Sequence, residues 1–85
     1  MRHITADRLA GIDALLVQLR QVDGLVEKQP GVFYRRSRAF LHFHEDGDDV
    51  YADVRLSGDE FERVRVTTKS AQRALLTTVR RAARV

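Results

Sequence analysis

Two histidines separated by a single residue are the side chains of this sequence best suited to chemistry. His42 and His44 stand in a run of alternating apolar and polar residues, Phe40-Leu41-His42-Phe43-His44, and this alternation predicts a β-strand. Side chains two residues apart on a strand share one face, about 7 Å apart along it. Two imidazoles at that spacing can share a metal ion if a third ligand converges on them, and the candidate third ligands are Asp53 and Asp49.

Acid–base chemistry is a second possibility at the same place. His44 with Asp49 across the turn has the composition of an oriented general base. No nucleophile accompanies the pair, because Ser37 and Ser57 lie in predicted turns without a supporting motif. Exposed histidines bonded to cross-strand neighbours are the more common outcome. From sequence alone we therefore assign no catalytic residue, no metal ligand and no cofactor, do not predict an enzyme, and keep a metal or small-ligand site at His42 and His44 as an alternative.

The register of the hairpin decides which face the histidines occupy. A two-residue turn at Asp46-Gly47, a dipeptide that favours such turns, predicts three apolar cross-strand pairs: Phe43 with Val50, Leu41 with Ala52, and Ala39 with Val54. A slip of one residue would put the imidazoles in the core. The burial pattern and the turn chemistry therefore agree in placing the histidines on the polar face.

A second hairpin continues through Ser57-Gly58-Asp59 into a strand that ends at Val66. Its apolar residues stay on the same face if Val64 lies opposite Ala52 and Val66 opposite Val50. The other face then pairs Arg63 with Asp53, Arg65 with Tyr51, and Phe61 with Arg55. This register predicts a surface of paired charges and aromatic rings.

Amphipathic helices flank these strands. Residues 5–23 are predicted as one helix, capped by Thr5 and ended by Gly24, with an apolar stripe formed by Leu9, Ile12, Leu16 and Leu19. The spacing of this stripe continues to Val26, just beyond the helix. Thr68 or Ser70 caps a final helix that runs to about Arg84, with a stripe formed by Ala71, Leu75, Leu76, Val79 and Ala82 or Ala83. After a turn at Gln29-Pro30-Gly31, residues 32–36 are predicted as an edge strand.

These elements predict one α+β domain over residues 1–85. We expect a two-layer sandwich in which an antiparallel meander of three to four strands carries the N- and C-terminal helices on one face, in the order α-β-β-β-β-α. The other face is left open. The candidate binding residues on this open face are Phe40, His42, His44, Tyr51, Asp53, Arg55, Phe61, Arg63 and Arg65, with Tyr34 and Arg36 beside them.

The composition of this open face favours binding over catalysis. Aromatic and arginine side chains concentrate binding energy at interfaces, so the preferred function is association, as a homodimer or with a protein partner. The alternative is single-stranded nucleic acid, since bases stack on rings and guanidinium groups contact phosphates. No RNA-recognition signature is present, and Asp53 with the acids of residues 45–49 would repel phosphates.

Charge and composition limit the classes of protein to which this chain can belong. The net charge of +3 conceals a split: residues 45–60 carry −6 and residues 61–85 carry +6, which favours pairing within the chain or between copies. There is no cysteine, and so neither a disulfide nor a thiolate ligand. No run approaches the length of a membrane span, and we expect a cytoplasmic protein without a signal peptide.

Three segments carry a resemblance to known proteins: Pro30-Gly31-Val32-Phe33-Tyr34-Arg35, Ala39-Phe40-Leu41-His42-Phe43-His44 and Tyr51-Ala52-Asp53-Val54. They resemble a group of short, uncharacterised bacterial proteins over roughly residues 30 to 66, which implies no site residues. The strand pattern is also similar to the YjbR-like family, small α+β proteins often labelled DNA-binding. A usage of thirteen arginines against two lysines suits a high-GC bacterial genome.

Overall fold

The computed structural model describes residues 2–84 as an α+β fold, as the sequence predicts. The strands are β1 (Arg2–His3), β2 (Leu25–Gln29), β3 (Val32–Arg35), β4 (Arg38–Asp46), β5 (Asp49–Val54) and β6 (Glu62–Arg65); the helices are α1 (Ala6–Gly11), α2 (Asp13–Arg20) and α3 (Lys69–Ala83). Strands β2 to β6 form an antiparallel meander in chain order, and β1 pairs with the far end of β4. The meander has five strands rather than three to four.

The N-terminal helical region consists of two helices instead of the predicted single one. Thr5 caps the first as predicted, its hydroxyl accepting the N–H of Arg8 at 3.4 Å. The chain leaves helical geometry at Ile12, with φ −114° and ψ 24°. Gly11, a weak helix former, immediately precedes this break. The apolar stripe is nevertheless preserved, because Ile12, Leu16 and Leu19 are all buried.

Strand β2 is the element that the sequence prediction missed. Val26, whose spacing continues the apolar stripe of the first predicted helix, lies in β2 with 57% of its surface exposed. Gly24 has φ +92° and so takes the predicted left-handed conformation. Because α2 already ends at Arg20, Gly24 does not end the helix but lies in the turn immediately before β2. Because β2 pairs with β3, strand β3 is internal to the meander and is not its edge.

The β4–β5 hairpin is shifted by two residues from the predicted register. Asp46 pairs with Asp49, and Gly47 and Asp48 form the two-residue turn. Gly47 has φ +61° at the first central position, as a type II′ turn requires. The observed apolar pairs are Phe43 with Ala52 and Leu41 with Val54. A shift of two does not by itself move any side chain to the other face and changes only the cross-strand partners.

The register of the second hairpin and the last helix match the prediction, but residues 55–61 form a longer connection than the predicted turn at Ser57-Gly58-Asp59. Val64 pairs with Ala52, Arg63 with Asp53 and Arg65 with Tyr51. The Thr68 hydroxyl caps α3 by accepting the N–H of Ala71 at 3.1 Å. The side chains buried along α3 are Leu75, Leu76 and Val79.

One core joins the helices to the apolar face of the sheet. Its largest fully buried side chains are Phe33, Phe43, Leu19, Leu41, Val54, Val66 and Val79. Phe40, predicted on the open face, is only 4% exposed and belongs to this core. The physical reason is a β-bulge: Phe33 pairs with Leu41 and Tyr34 with Ala39, so Phe40 is the extra residue between them.

Glu45 is a buried acid at the end of β4. Its carboxylate accepts the backbone N–H of Thr5 at 2.6 Å, which links β4 to the start of α1. A buried carboxylate requires such a donor, because an unpaired one would be strongly destabilising. Among residues 2–84, no helix combines the length and apolar character that a bilayer crossing requires.

Candidate metal centre

Three adjacent strands place the polar residues of the sheet on one side, here called the outer face and formed by His42, His44, Tyr51, Asp53, Arg63 and Arg65. In the observed register His42 lies opposite Asp53, and His44 lies opposite Tyr51. Strand β6 then adds Arg63 next to Asp53. The two-residue shift of the hairpin is therefore what brings Asp53, instead of Asp49, beside the histidines.

His42, His44 and Asp53 form a cluster of metal-ligating groups. One ligand atom from each of the three lies within 4.8 Å of the others. Asp49, the other candidate third ligand, is engaged elsewhere: its Oδ1 accepts Arg65 Nε–H and the Thr67 hydroxyl, each at 3.0 Å. The hypothesis of a His44–Asp49 dyad is therefore wrong, and Asp53 is the carboxylate that accompanies the imidazoles.

Asp53 is a buried carboxylate, 7% exposed, and is held by charged donors. Arg63 donates through Nε to Oδ1 at 2.9 Å and through its terminal nitrogen to Oδ2 at 3.1 Å. These hydrogen bonds lower the pKa of Asp53 below its ordinary value despite the opposing effect of burial. Asp53 is thus an anion at neutral pH and able to attract a cation.

The imidazole of His44 faces the same carboxylate through its Nε2. Its Nε2 lies 3.1 Å from Asp53 Oδ2. The nitrogen is nevertheless buried without a well-aligned hydrogen bond among the described residues. A buried polar atom in that condition costs about 1–3 kcal/mol, so it is an atom for which a ligand can compensate.

His42 completes the cluster as a neutral imidazole. Burial lowers its pKa below the ordinary 6.5, and the nearby His44 lowers it further, while Asp53 acts in the opposite direction. The rings of His42 and His44 meet edge to face, with centroids 4.7 Å apart. A neutral imidazole has a free lone pair at physiological pH, which either a metal ion or a proton can take.

Aromatic and cationic side chains border the cluster on one side. The Phe61 ring lies 5.1 Å from the ring of His42, and the Arg55 guanidinium lies 4.4 Å from the centre of Phe61. The predicted cross-strand proximity of Phe61 and Arg55 is thus present in the structure.

A third histidine lies close to the cluster, and sequence reasoning did not find it. His3 pairs with His44 through strand β1, and their ring centroids are 6.2 Å apart. A strand of two residues is too short to show an alternating pattern, so no local signal marks it. The end of β4 extends beyond its pairing with β3, and β1 pairs with this free end.

The other predicted open-face residues lie outside the cluster. Tyr51 is half-buried opposite Arg65, whose guanidinium is bound to Asp49. Tyr34 is half-buried with Lys28 Nζ 5.2 Å from its ring, and Arg36 lies in the β3–β4 turn. The open face therefore divides into a histidine–aspartate cluster and separate ion pairs.

Comparisons with known proteins leave the residues themselves as the basis for a function. No protein-family model, no curated protein and no solved structure matches this chain.

Proposed function

We propose that the chain binds one divalent transition-metal ion at His42, His44 and Asp53. The observation that carries the proposal is the convergence of their ligand atoms within 4.8 Å, with the buried Nε2 of His44 lacking a hydrogen bond. Imidazole nitrogen with one carboxylate is a donor set that zinc accepts. Zinc is therefore the ion we assign to the site.

The cluster requires only a modest contraction to bind zinc. Ligands about 2.0–2.1 Å from a tetrahedral ion lie roughly 3.3 Å from each other, so ligand atoms that lie within 4.8 Å of one another need to approach by at most roughly 1.5 Å. Small rotations about the side-chain torsions supply this movement. Three protein ligands leave a fourth position for water or a small ligand.

Arg63 acts on the site in two opposing ways. Its two hydrogen bonds hold the Asp53 carboxylate in one orientation. A carboxylate has about four lone-pair positions, so two remain for His44 or a metal ion. The positive charge of Arg63 nevertheless repels a dication bound to the same carboxylate. We therefore expect zinc affinity in the micromolar range or weaker.

Zinc titration followed by calorimetry and by histidine NMR signals tests the proposal. One zinc ion per chain should bind, and His44→Ala and Asp53→Asn should each weaken binding at least about tenfold. Asp46→Asn, which removes an exposed acid from the same hairpin, is the matched control and should bind like the wild type. Histidine signals that do not move with zinc, or equal affinity of His44→Ala and wild type, would contradict the proposal.

Association of two copies through the outer face is the second candidate. The observation that favours it is Phe61, which is 36% exposed beside His42 and Arg55, because exposed aromatic and arginine groups are typical binding hot spots. Size-exclusion chromatography with light scattering should find a dimer at high micromolar concentration and a monomer for Phe61→Asp. The control is Val26→Asp on β2. A monomeric wild type would exclude this candidate.

Nucleic-acid binding on the same face stays a prediction. Arg63 and Arg65 are hydrogen-bonded to Asp53 and Asp49, so much of their charge is already compensated within the fold. A salt-dependent shift of labelled oligonucleotides at low ionic strength is the measurement that decides it. A cytoplasmic location and a bacterial source likewise stay predictions.

A further inference from the structure

We propose a second, separate site: an arginine pocket at the β3–β4 turn that binds the phosphate group of a small phosphomonoester. Four arginines line this open pocket of about 190 Å³, namely Arg35, Arg36, Arg38 and Arg55. Phe40 and Leu56 contribute apolar surface, and Ser57-Gly58 forms part of the rim. The site shares no ligand residue with the histidine–aspartate cluster.

The charge of the pocket lining selects an anion. None of the residues that line it is acidic. Arg38 is bound to Asp59 at 2.9 Å, but both side chains are largely exposed, and an exposed ion pair of this kind contributes little. An anionic ligand can therefore replace Asp59 at low cost. Guanidinium groups suit phosphate in particular, because their planar fork donates two parallel hydrogen bonds.

Arg55 is the residue that makes the pocket more than a charged surface. Its Nε is buried and has no hydrogen-bond partner among the described residues. Its guanidinium lies 4.4 Å from the centre of the Phe61 ring. Because this contact already restricts the Arg55 side chain, ligand binding costs it less conformational entropy. Unsatisfied arginine donors are rare in folded proteins, and a bound phosphate would offer acceptor oxygens to this guanidinium.

The turn that presents the arginines is strained. Arg36 and Ser37 both have positive φ, +53° and +66°, at the two central positions between the paired residues Arg35 and Arg38. Asn-Gly is the usual choice for such a type I′ turn, since other side chains are disfavoured there. An arginine retained in this conformation is consistent with a binding role, because backbone strain concentrates at functional sites.

The size of the pocket sets the class of ligand. Sites for drug-sized molecules occupy about 300–1,000 Å³, and 190 Å³ is smaller than this range. A phosphate group with a short substituent fits, with its apolar part against the half-buried Leu56. A nucleic-acid backbone presents the same phosphate chemistry, and the experiment distinguishes the two.

Phosphate binding is tested by NMR titration of the whole chain at low ionic strength with inorganic phosphate, phenyl phosphate and a short oligonucleotide. Amide signals of residues 35–39 and 55–58 should shift and saturate, with phenyl phosphate binding more tightly than inorganic phosphate. Arg55→Met, which keeps the stem against Phe61, should weaken binding about tenfold or more. Arg38→Met provides a second variant in case Arg55→Met does not fold.

The matched control is Arg73→Met, which removes an exposed arginine from α3 and should leave phosphate affinity unchanged. Equal weakening in Arg73→Met and Arg55→Met would overturn the proposal, because it would reveal a nonspecific charge effect. Shifts confined to other residues would also overturn it. Binding of the oligonucleotide without binding of either phosphate would assign the surface to nucleic acid instead.

Discussion

Asp53 is the residue around which the outer face is organised. One buried carboxylate receives two hydrogen bonds from Arg63 and lies 3.1 Å from the Nε2 of His44. Burial of a single charge is tolerated only when such partners accompany it. The same contacts that stabilise Asp53 in the fold therefore place two imidazoles beside an anion.

Removal of the competing charge on β6 should tighten zinc binding. Arg63→Gln keeps a hydrogen-bond donor near Asp53 but removes a cation from beside the metal ligand, so we expect zinc affinity to rise about tenfold. Calorimetric titration measures this change. Arg65→Gln, on the same strand but bound to Asp49, is the control. Loss of binding in Arg63→Gln would mean that Arg63 positions the carboxylate more than it opposes the ion.

Among the turns, the β3–β4 hairpin is the one where a single substitution should stabilise the protein. Ser37 has φ +66°, a conformation that costs a non-glycine residue roughly 1–2 kcal/mol. Ser37→Gly should therefore raise the free energy of unfolding by roughly 0.5–1 kcal/mol after the entropic cost of glycine. Thermal unfolding should show a rise in the melting temperature of about 2–8 °C.

Ser57→Gly is the control for this turn, since Ser57 lacks a positive φ and glycine there only adds unfolded-state entropy. It should lower the melting temperature slightly. A decrease in both variants would contradict the interpretation that the Arg36-Ser37 turn is strained.

Helix α2 and strand β2 are joined by one glutamate whose contribution depends on pH. Glu27 accepts Arg20 Nε–H at 2.6 Å and the backbone N–H of Gly31 at 3.0 Å. The Arg20 hydrogen bond, more than the Gly31 one, lowers the pKa of Glu27 below 4.5. The stabilisation is therefore present above the unfolded pKa and is lost as pH falls through the lower folded value.

Glu27→Gln should lower the free energy of unfolding by about 1 kcal/mol at pH 6, because weaker neutral hydrogen bonds replace charged ones. The difference from the wild type should shrink as pH falls from 5 to 3. Urea unfolding at several pH values measures it. Glu60→Gln controls for the loss of one exposed carboxylate. A difference that stays constant down to pH 3 would show that the charge of Glu27 contributes nothing.

In the molecule as a whole, stability rests on one small core shared by the sheet and two helices. Leu19 is fully buried on α2. Leu19→Ala should lower the free energy of unfolding by about 3 kcal/mol, through lost burial and the cavity left behind. That is a large share of the stability of a domain this size. Urea denaturation followed by circular dichroism measures it.

Val17→Ala on the same helix is the comparison for Leu19→Ala. Val17 is largely exposed, so its truncation should change stability by less than about 0.5 kcal/mol. Equal effects of the two substitutions would mean that α2 is not docked on the sheet as described.

Most acids of the central segment, residues 45–60, have a charged or hydrogen-bonding partner within the fold. Arginines of the basic C-terminal segment pair with acids of the central segment, Arg63 with Asp53 and Arg65 with Asp49. Arg38 and Asp59 form a further pair between segments. The net charge of the chain is thus a poor guide to its partner, whereas the local concentration of arginine in the pocket is informative.

The amino-acid sequence by itself determined the two faces of the sheet, the register of β5 with β6, and α3 with its cap. Each follows from a local rule: strand alternation, helical spacing, or a threonine three residues before an unsatisfied N–H. These rules act between neighbours in the chain, so they need no knowledge of the rest of the fold. The helix break at Ile12 and strand β2 were missed because helical spacing continued past Gly11.

Only the tertiary structure decided which carboxylate accompanies His42 and His44. A two-residue shift preserves the alternation of every strand, so the sequence pattern cannot distinguish Asp49 from Asp53 as their partner. The carboxylate that lies beside the histidines depends on the turn. Gly47 occupies the first central position because this turn type matches the twist of the two strands. The same holds for His3 and Phe40, since a two-residue strand and a β-bulge are fixed by pairing with distant strands.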